Sequence, residues 1–543
     1  MLMKKTIHDS KRRRFSKFSP IHPLIFAIVP IWLLFSNNVS ELSIEEIIVP
    51  IVLSVGITGF VFFILSKFIL KNSFKAGVVV STGVILFFFY GHIYTEISHL
   101  DIFGFDITRH TFLIPLFLSV FGIVFVKSIK SKSDFRNVSV IFNIVAITLL
   151  VIPAVNVTSF YIEQFPSNQF TTQTSENEIN IGSMTITDSD LVLDELPDVY
   201  YIILDGYPDT KTLKRVYDFD NSEFLSYLNE KGFFVPADSH SNYHKTALSM
   251  TSSLNMAYLV DHAKYDSDES LNYDTSLNVK QMLWNNEVMK VFAEKGYSTI
   301  SFKSGYRPID LISVAQNSEC EGGKGPFTSR FMVMLTETSM LKFSHITKLY
   351  ESNKKNDILC IFNSLPNVSA KYDEPVFVFA HILVPHPPYL FDKDGGELSP
   401  ETLDLGNQRW DNTELFVEQL QFANGKLEKT IDSILKNSQD EGRESVIVLQ
   451  GDHGTQVGFD PNNITQEGVM NRMHILNTYY LPGIETPEEF IDKKITPVNT
   501  FRVISNIYLG QNYTLLDNRS YVYENEKIKF TDVTDIISSH DLE

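Results

Sequence analysis

The chain has 543 residues, 44% of them hydrophobic, with 46 Lys+Arg against 65 Asp+Glu and a formal net charge of −19. That length accommodates a large α/β domain together with a second, separate domain. The acidic balance argues against nucleic-acid binding and against simple electrostatic adhesion to anionic lipid.

Five apolar runs come first, near His22–Phe35, Ile47–Phe68, Ala76–Ile93, Thr111–Val126 and Val138–Val155. Several reach the roughly 17–25 residues a helix needs to cross a bilayer. Five such runs with short loops predict a transmembrane domain of five spans over residues 1–155. Basic residues set its orientation. Lys4, Lys5, Lys11, Arg12, Arg13, Arg14 and Lys17 precede the first run, and seven more Lys and Arg flank the loops after the second and fourth. The alternate loops carry Arg109 alone. The positive-inside rule therefore puts the N-terminus in the cytoplasm and everything after Val155 on the extracytoplasmic side of the cell membrane.

Residues 156–197 are rich in Thr, Ser, Asn and acidic side chains and read as a linker. From Asp198 to residue 543, short apolar runs alternate with amphipathic segments. Asp198–Gly206, Ser298–Phe302, Glu374–Ile382 and Ser445–Gly451 read as buried strands. Asn221–Gly232, Val279–Gly296 and Thr413–Asn437 read as helices. That alternation predicts an α/β ectodomain with a mostly parallel sheet flanked by helices. Cys320 and Cys360, both in the exported part, either form one disulfide in an oxidising compartment or remain two buried thiols.

Three strand ends carry residues suited to chemistry. The first strand closes on Leu204-Asp205-Gly206, and the last on Gly451-Asp452-His453-Gly454. Open α/β sheets place their ligands at such carboxyl ends. A carboxylate beside an imidazole suits a divalent cation such as zinc or manganese, although either motif alone is more often a solvated turn. The strand Glu374–Ile382 carries His381 and runs on to His386-Pro-Pro-Tyr389, which points to binding of a phosphate or a second metal. Thr246, in Lys245-Thr246-Ala247-Leu248-Ser249, falls at an expected helix start. There a hydroxyl is an N-cap or, beside a metal, an activated nucleophile.

Taken in order, these residues resemble the alkaline phosphatase/sulfatase superfamily, in particular its membrane-anchored branch of lipoteichoic-acid synthases and phosphoethanolamine transferases. Asp205 matches the first-strand metal acid, Thr246 the nucleophile and Asp452–His453 the late Asp-His pair. His381 and His386, in H-x4-H-P-P-Y, match the segment near the transferred phosphate. Pro497–Arg502 looks like the closing helix of sulfatase-like proteins. The resemblance implies a metal held by Asp205, Thr246, Asp452 and His453, with Thr246, His386 and His381 catalytic. It implies transfer of a phospho-head-group from a membrane phospholipid donor to an envelope glycan or lipid acceptor through a phosphothreonine. Hydrolysis at the same site, and an inactive binding module, are the alternatives. Neither cysteine lies in a C-x-P-x-R-like motif, so formylglycine sulfatase chemistry is not expected. No histidine follows the Asp-His-Gly turn before His474, which argues against a two-metal site. Asn255–Arg330 and Asp460–Asn471 are the expected acceptor loops.

Overall fold

The computed structural model describes residues 19–39, 42, 44–97, 110–163, 195–261, 275–310, 315–320, 329–343, 346–396, 398, 409–524 and 529–538. The basic cluster Lys4–Lys17, Arg109, most of the linker and parts of the Asn255–Arg330 segment lie outside these. The chain divides into two compact units, one of residues 1–169 with 324–352 and the other of residues 170–323 with 353–543.

The first unit holds five apolar helices: α1 (His22–Asn37), α2 (Ile44–Ile64), α3 (Ser73–Ile97), α4 (His110–Lys130) and α5 (Arg136–Glu163). Four are long and apolar enough to cross a membrane, α2 with the π-helical turn Leu65–Ile69 that continues it. The 16-residue α1 spans only about 24 Å at 1.5 Å per residue. It is held by a polar cluster in which the His22 ring meets Ser81 Oγ at 2.6 Å and Ser139 Oγ at 2.9 Å, while Asn143 Oδ1 accepts from the His22 backbone N–H at 2.9 Å. Residues 324–352 group with these helices rather than with the ectodomain that surrounds them in sequence.

The second unit is built on a six-stranded sheet. Its strands are β1 (Asp198–Leu204), β2 (Ser298–Phe302), β3 (Asn317–Glu319), β4 (Val376–Ile382), β5 (Ser445–Gly451) and β6 (Asn477–Tyr480), in the order β3-β2-β4-β1-β5-β6. Only β6 runs antiparallel to its neighbour. Every residue of β1, β4 and β5 is buried, as expected of parallel strands covered on both faces. One apolar layer (Ile202, Phe416, Leu420, Leu449) packs the helix Thr413–Glu441 on one face. Another (Tyr201, Phe292, Phe377, Phe501) closes the opposite face. A hairpin of β7 (Tyr521–Glu524) and β8 (Lys529–Asp532) stands apart from this sheet.

The three central strands share one register: Leu204 lies opposite Ile382 on β4 and Gly451 on β5. Asp205, His381 and Asp452 therefore emerge at one end of the sheet. Cys320 and Cys360 form a disulfide with Cα atoms 5.8 Å apart, within the second unit.

Candidate active site

Asp205 follows β1 and donates its backbone N–H to Ile382 O (3.0 Å). Its carboxylate lies buried between β4 and β5. On the turn after β5, Asp452 Oδ1 accepts the backbone N–H of Gly206 (2.8 Å) and of His453 (2.9 Å). Its Oδ2 has no hydrogen-bond partner, and neither has Asp205 Oδ1 nor His381 Nε2. These are the atoms of a compact buried group: Asp205, His381 and Asp452 each offer a ligand atom within 4.8 Å of the others.

The two imidazoles can be assigned proton by proton. His453 Nδ1 lies 2.9 Å from the Gly454 carbonyl, which can only accept, so Nδ1 carries the hydrogen. Burial, and after it the Arg472 charge, hold this ring well below the usual histidine pKa, hence neutral. Its Nε2 lone pair then faces Asp452 Oδ2 at 3.3 Å, Asp205 Oδ1 at 3.6 Å and Thr246 Oγ1 at 3.2 Å. For His381 the decisive neighbour is Ser304. Its hydroxyl donates to Asp310 Oδ1 (3.0 Å), so at 3.4 Å it accepts from His381 Nδ1. His381 Nε2 is left as an acceptor, 3.8 Å from Asp205 Oδ2. Burial depresses this ring to about 4, so it too is neutral.

Two carboxylates and the His381 Nε2 lone pair thus converge, with the His453 Nε2 lone pair, which accepts from Thr246, at their edge. Acceptors buried in this way repel unless a cation sits among them. Burial, reinforced by the Asp452 charge, pushes the Asp205 carboxyl well above the usual range, with Arg472 and Lys354 opposing. Nitrogen and oxygen donors in this number suit zinc or manganese.

Thr246 is the first residue of the helix α6 (Thr246–Asn255); its N-cap is Lys245, whose side chain makes no capping bond. Thr246 is 9% exposed, and its hydroxyl, not spent on capping, donates instead to His453 Nε2. His386 stands farther out, its ring edge-on to Trp410 at 4.8 Å and 6.5 Å from the His453 ring. Its backbone N–H donates to Asp205 O (3.1 Å). Lys245 places its ammonium 5.2 Å from the centre of the Tyr523 ring.

No protein-family model matches the chain, and no curated protein does. Among solved structures it is similar to the C-terminal periplasmic domain of EcEptC from Escherichia coli, at 14% identity over 62% of this chain and 93% of that one, with a TM-score of 0.36. It is likewise similar to the integral membrane protein lipooligosaccharide phosphoethanolamine transferase A from Neisseria meningitidis, at 12% identity over 89% and 95%, TM-score 0.35. A third is the phosphonate monoester hydrolase of Agrobacterium radiobacter, at 11% identity over 60% and 79%, TM-score 0.35.

The site contains residues that the motifs do not announce. Arg472 is buried, with Nε donating to His244 O (2.8 Å) and Nη1 to Gly454 O (3.2 Å). Burial lowers it to about 10, and the Asp452 and Asp205 charges oppose that, so it keeps its charge beside them. Lys354 donates to Gly305 O at 3.1 Å. Trp410 lies over the site, its ring 6.4 Å from that of His453. Arg472 had a weak signal in the sequence, as the first cation after the Asp-His-Gly turn. Lys354, Ser304 and Asp310 had none, because tertiary packing alone brings them in.

Proposed function

We propose that this protein is a membrane-embedded, metal-dependent enzyme that moves a phospho-head-group from a lipid donor to an envelope acceptor by way of Thr246. One observation carries the reading: an uncapped threonine hydroxyl at a helix N-terminus, hydrogen-bonded to a neutral imidazole, beside a buried cluster of acceptor atoms. Asp205, His381 and Asp452 would hold the cation, with His453 on the edge shared with Thr246. A divalent cation there supplies the positive charge that stabilises phosphate oxygens and acidifies a neighbouring hydroxyl.

The chain's own groups do the rest. The free N–H groups and positive end of α6 face the phosphate that Thr246 attacks. The Thr246 Oγ1 proton leaves through His453 Nε2, Oγ1 bonds to phosphorus, and the bond from phosphorus to the donor's glycerol oxygen breaks. His386, at the rim, protonates that departing alkoxide. An acceptor hydroxyl then displaces Thr246 by the reverse path. Arg472 keeps a fixed positive charge beside the two carboxylates and favours binding of an anion.

The disulfide supports an extracytoplasmic catalytic unit, as does the distribution of Lys and Arg among the loops.

Intact-mass and peptide mass spectrometry on protein purified from its own membrane tests the reading. An adduct on Thr246, absent from Thr246→Ala, is expected, and its mass names the group carried. Metal analysis of the same sample should find a divalent ion. Free head group without a modified acceptor would make the enzyme a hydrolase. No adduct together with no metal would overturn the proposal in favour of an inactive binding module.

A further inference from the structure

The first unit contains a cavity of about 470 Å³ that the chemistry above does not use. It is lined by α1, α2, α3, Phe121 of α4, and three residues of the 324–352 segment: Met332, Leu335 and Leu341. Met332 and Leu335 sit on the helix α7 (Arg330–Thr338) and, with Phe331, pack into one apolar cluster with Ile31, Phe35, Ile47 and Phe88. No charged residue is among the described residues that line the cavity. Of its two polar side chains, Ser54 donates to Ala27 O at 2.9 Å. A cavity of that lining stays dry and takes an apolar guest.

Shape and access identify the guest. Along α2 and its π-helical continuation the lining runs from Pro50 to Leu65, about 22 Å at 1.5 Å per residue. A cavity of about 470 Å³ drawn out along that length suits an extended hydrocarbon chain. At the mouth, Leu53, Ile57 and Val61 are 44%, 63% and 40% exposed on a membrane-crossing helix. An opening bordered by side chains that face hydrocarbon admits only what the hydrocarbon contains. Beside Leu341, Lys342 pairs with Glu337 at 2.5 Å and lies 5.1 Å from the Tyr94 ring. Such a charged and aromatic group marks the polar boundary of a bilayer.

We infer that this cavity binds one fatty-acyl chain of the phospholipid whose head group is transferred, and that Met332, Leu335 and Leu341 form one wall of that site. The identity of this lipid as the donor rests on the reading above; the acyl site itself does not.

The test uses the full-length chain in vesicles of phosphatidylethanolamine and phosphatidylglycerol carrying a trace of phospholipid with a diazirine in one acyl chain. After irradiation, label should concentrate on residues 50–65 and 332–341. Ile57→Trp and Val61→Trp, each at the exposed mouth and outside the packed core, should lower that label about tenfold by filling the opening. Ile141→Trp, on the outward face of α5, should leave it unchanged. Thr246→Ala should label like the parent chain, because binding needs no chemistry. Label spread evenly over lipid-facing helices, or indifferent to both mouth substitutions, would overturn the inference. Concentrated label with neither an adduct on Thr246 nor a bound metal would keep the acyl site and remove the transferase reading.

Discussion

Ser304 has one hydroxyl proton, and Asp310 takes it. That single fact orients His381, because a hydroxyl already donating can only accept from Nδ1 and leaves Nε2 turned to Asp205. Partners behind a metal ligand commonly contribute 10–100-fold in affinity. Ser304→Ala should therefore weaken divalent-metal binding about 10-fold or more without unfolding the chain, as read by competition with a chelator. A second residue-scale prediction concerns His474, whose Nε2 lies 3.3 Å from Asp238 Oδ1. Burial is the largest single influence and lowers the ring, but the Asp238 hydrogen bond and the Asp209 and Asp238 charges together outweigh it and raise its pKa. The same bond holds Asp238 down at about 2; burial opposes, while Lys211 and His240 add to it. The depressed acid contributes stability above its ordinary 3.8, lost as pH falls through about 2. The raised imidazole contributes below its ordinary 6.5, lost as pH rises through its folded value. The pair is fully effective between those two ordinary values. The melting difference between the parent chain and Asp238→Asn should be largest between those two ordinary values and shrink as pH rises through the raised value of His474. Of the site's residues, Asp205, Thr246, His381, Asp452 and His453 were legible because strand ends and a helix start expose them as patterns. Ser304 and Lys354 were not, since no local periodicity encodes what a loop will meet.

At the scale of elements, buried parallel strands were the most legible feature. Ser298–Phe302 and Ser445–Gly451 coincide with the apolar runs that announced them. The short β3, polar and partly exposed, carried no such run. The segment Val279–Gly296 reads as one helix but is two. Asn286 interrupts it, accepting from Met289 N at 3.0 Å as the cap of the second. His474 precedes β6 by three residues. The turn after β1 shows how an element boundary builds the site. Gly206 has φ +72°, its N–H fixes Asp452 Oδ1, and a Cβ there would come within 2.4 Å of the Trp410 ring. Gly206→Ala adds left-handed strain to that overlap, together about 1–3 kcal/mol. It should lower the melting temperature and weaken metal binding together, by displacing Trp410 and loosening the Asp452 carboxylate. A melting change with metal affinity untouched would show the turn to be structural alone.

At the scale of the whole chain, the apolar helices were legible from hydropathy alone, whereas the division into units was not. The helix α7 is nine residues long, too short for hydropathy to mark it as belonging with the first unit. The disulfide gives that excursion its physical sense. Cys320 and Cys360 lie on either side of residues 324–352, and both belong to the second unit. The chain leaves that unit after one cysteine and returns before the other, so the bond closes the second unit across the gap. Their separation is 40 residues, and a loop of that length carries about 4 kcal/mol of closure entropy in the unfolded chain. Without the bond, packing of Ile300 and Phe302 of β2 with Ile358, Ile361 and Phe362 must close the gap. The double substitution Cys320→Ser, Cys360→Ser should therefore reduce amide protection in β2 and β3 by a large part of that energy, as hydrogen exchange would read it. Protection in α1, α2 and α3 should stay at the parent level, because their apolar cluster with Phe331, Met332 and Leu335 contains no part of the disulfide. Equal loss in both sets would mean that the bond stabilises the chain as one cooperative body. Loss confined to β2 and β3 would mean that the two units hold their stability separately and that the disulfide serves the unit from which the excursion departs.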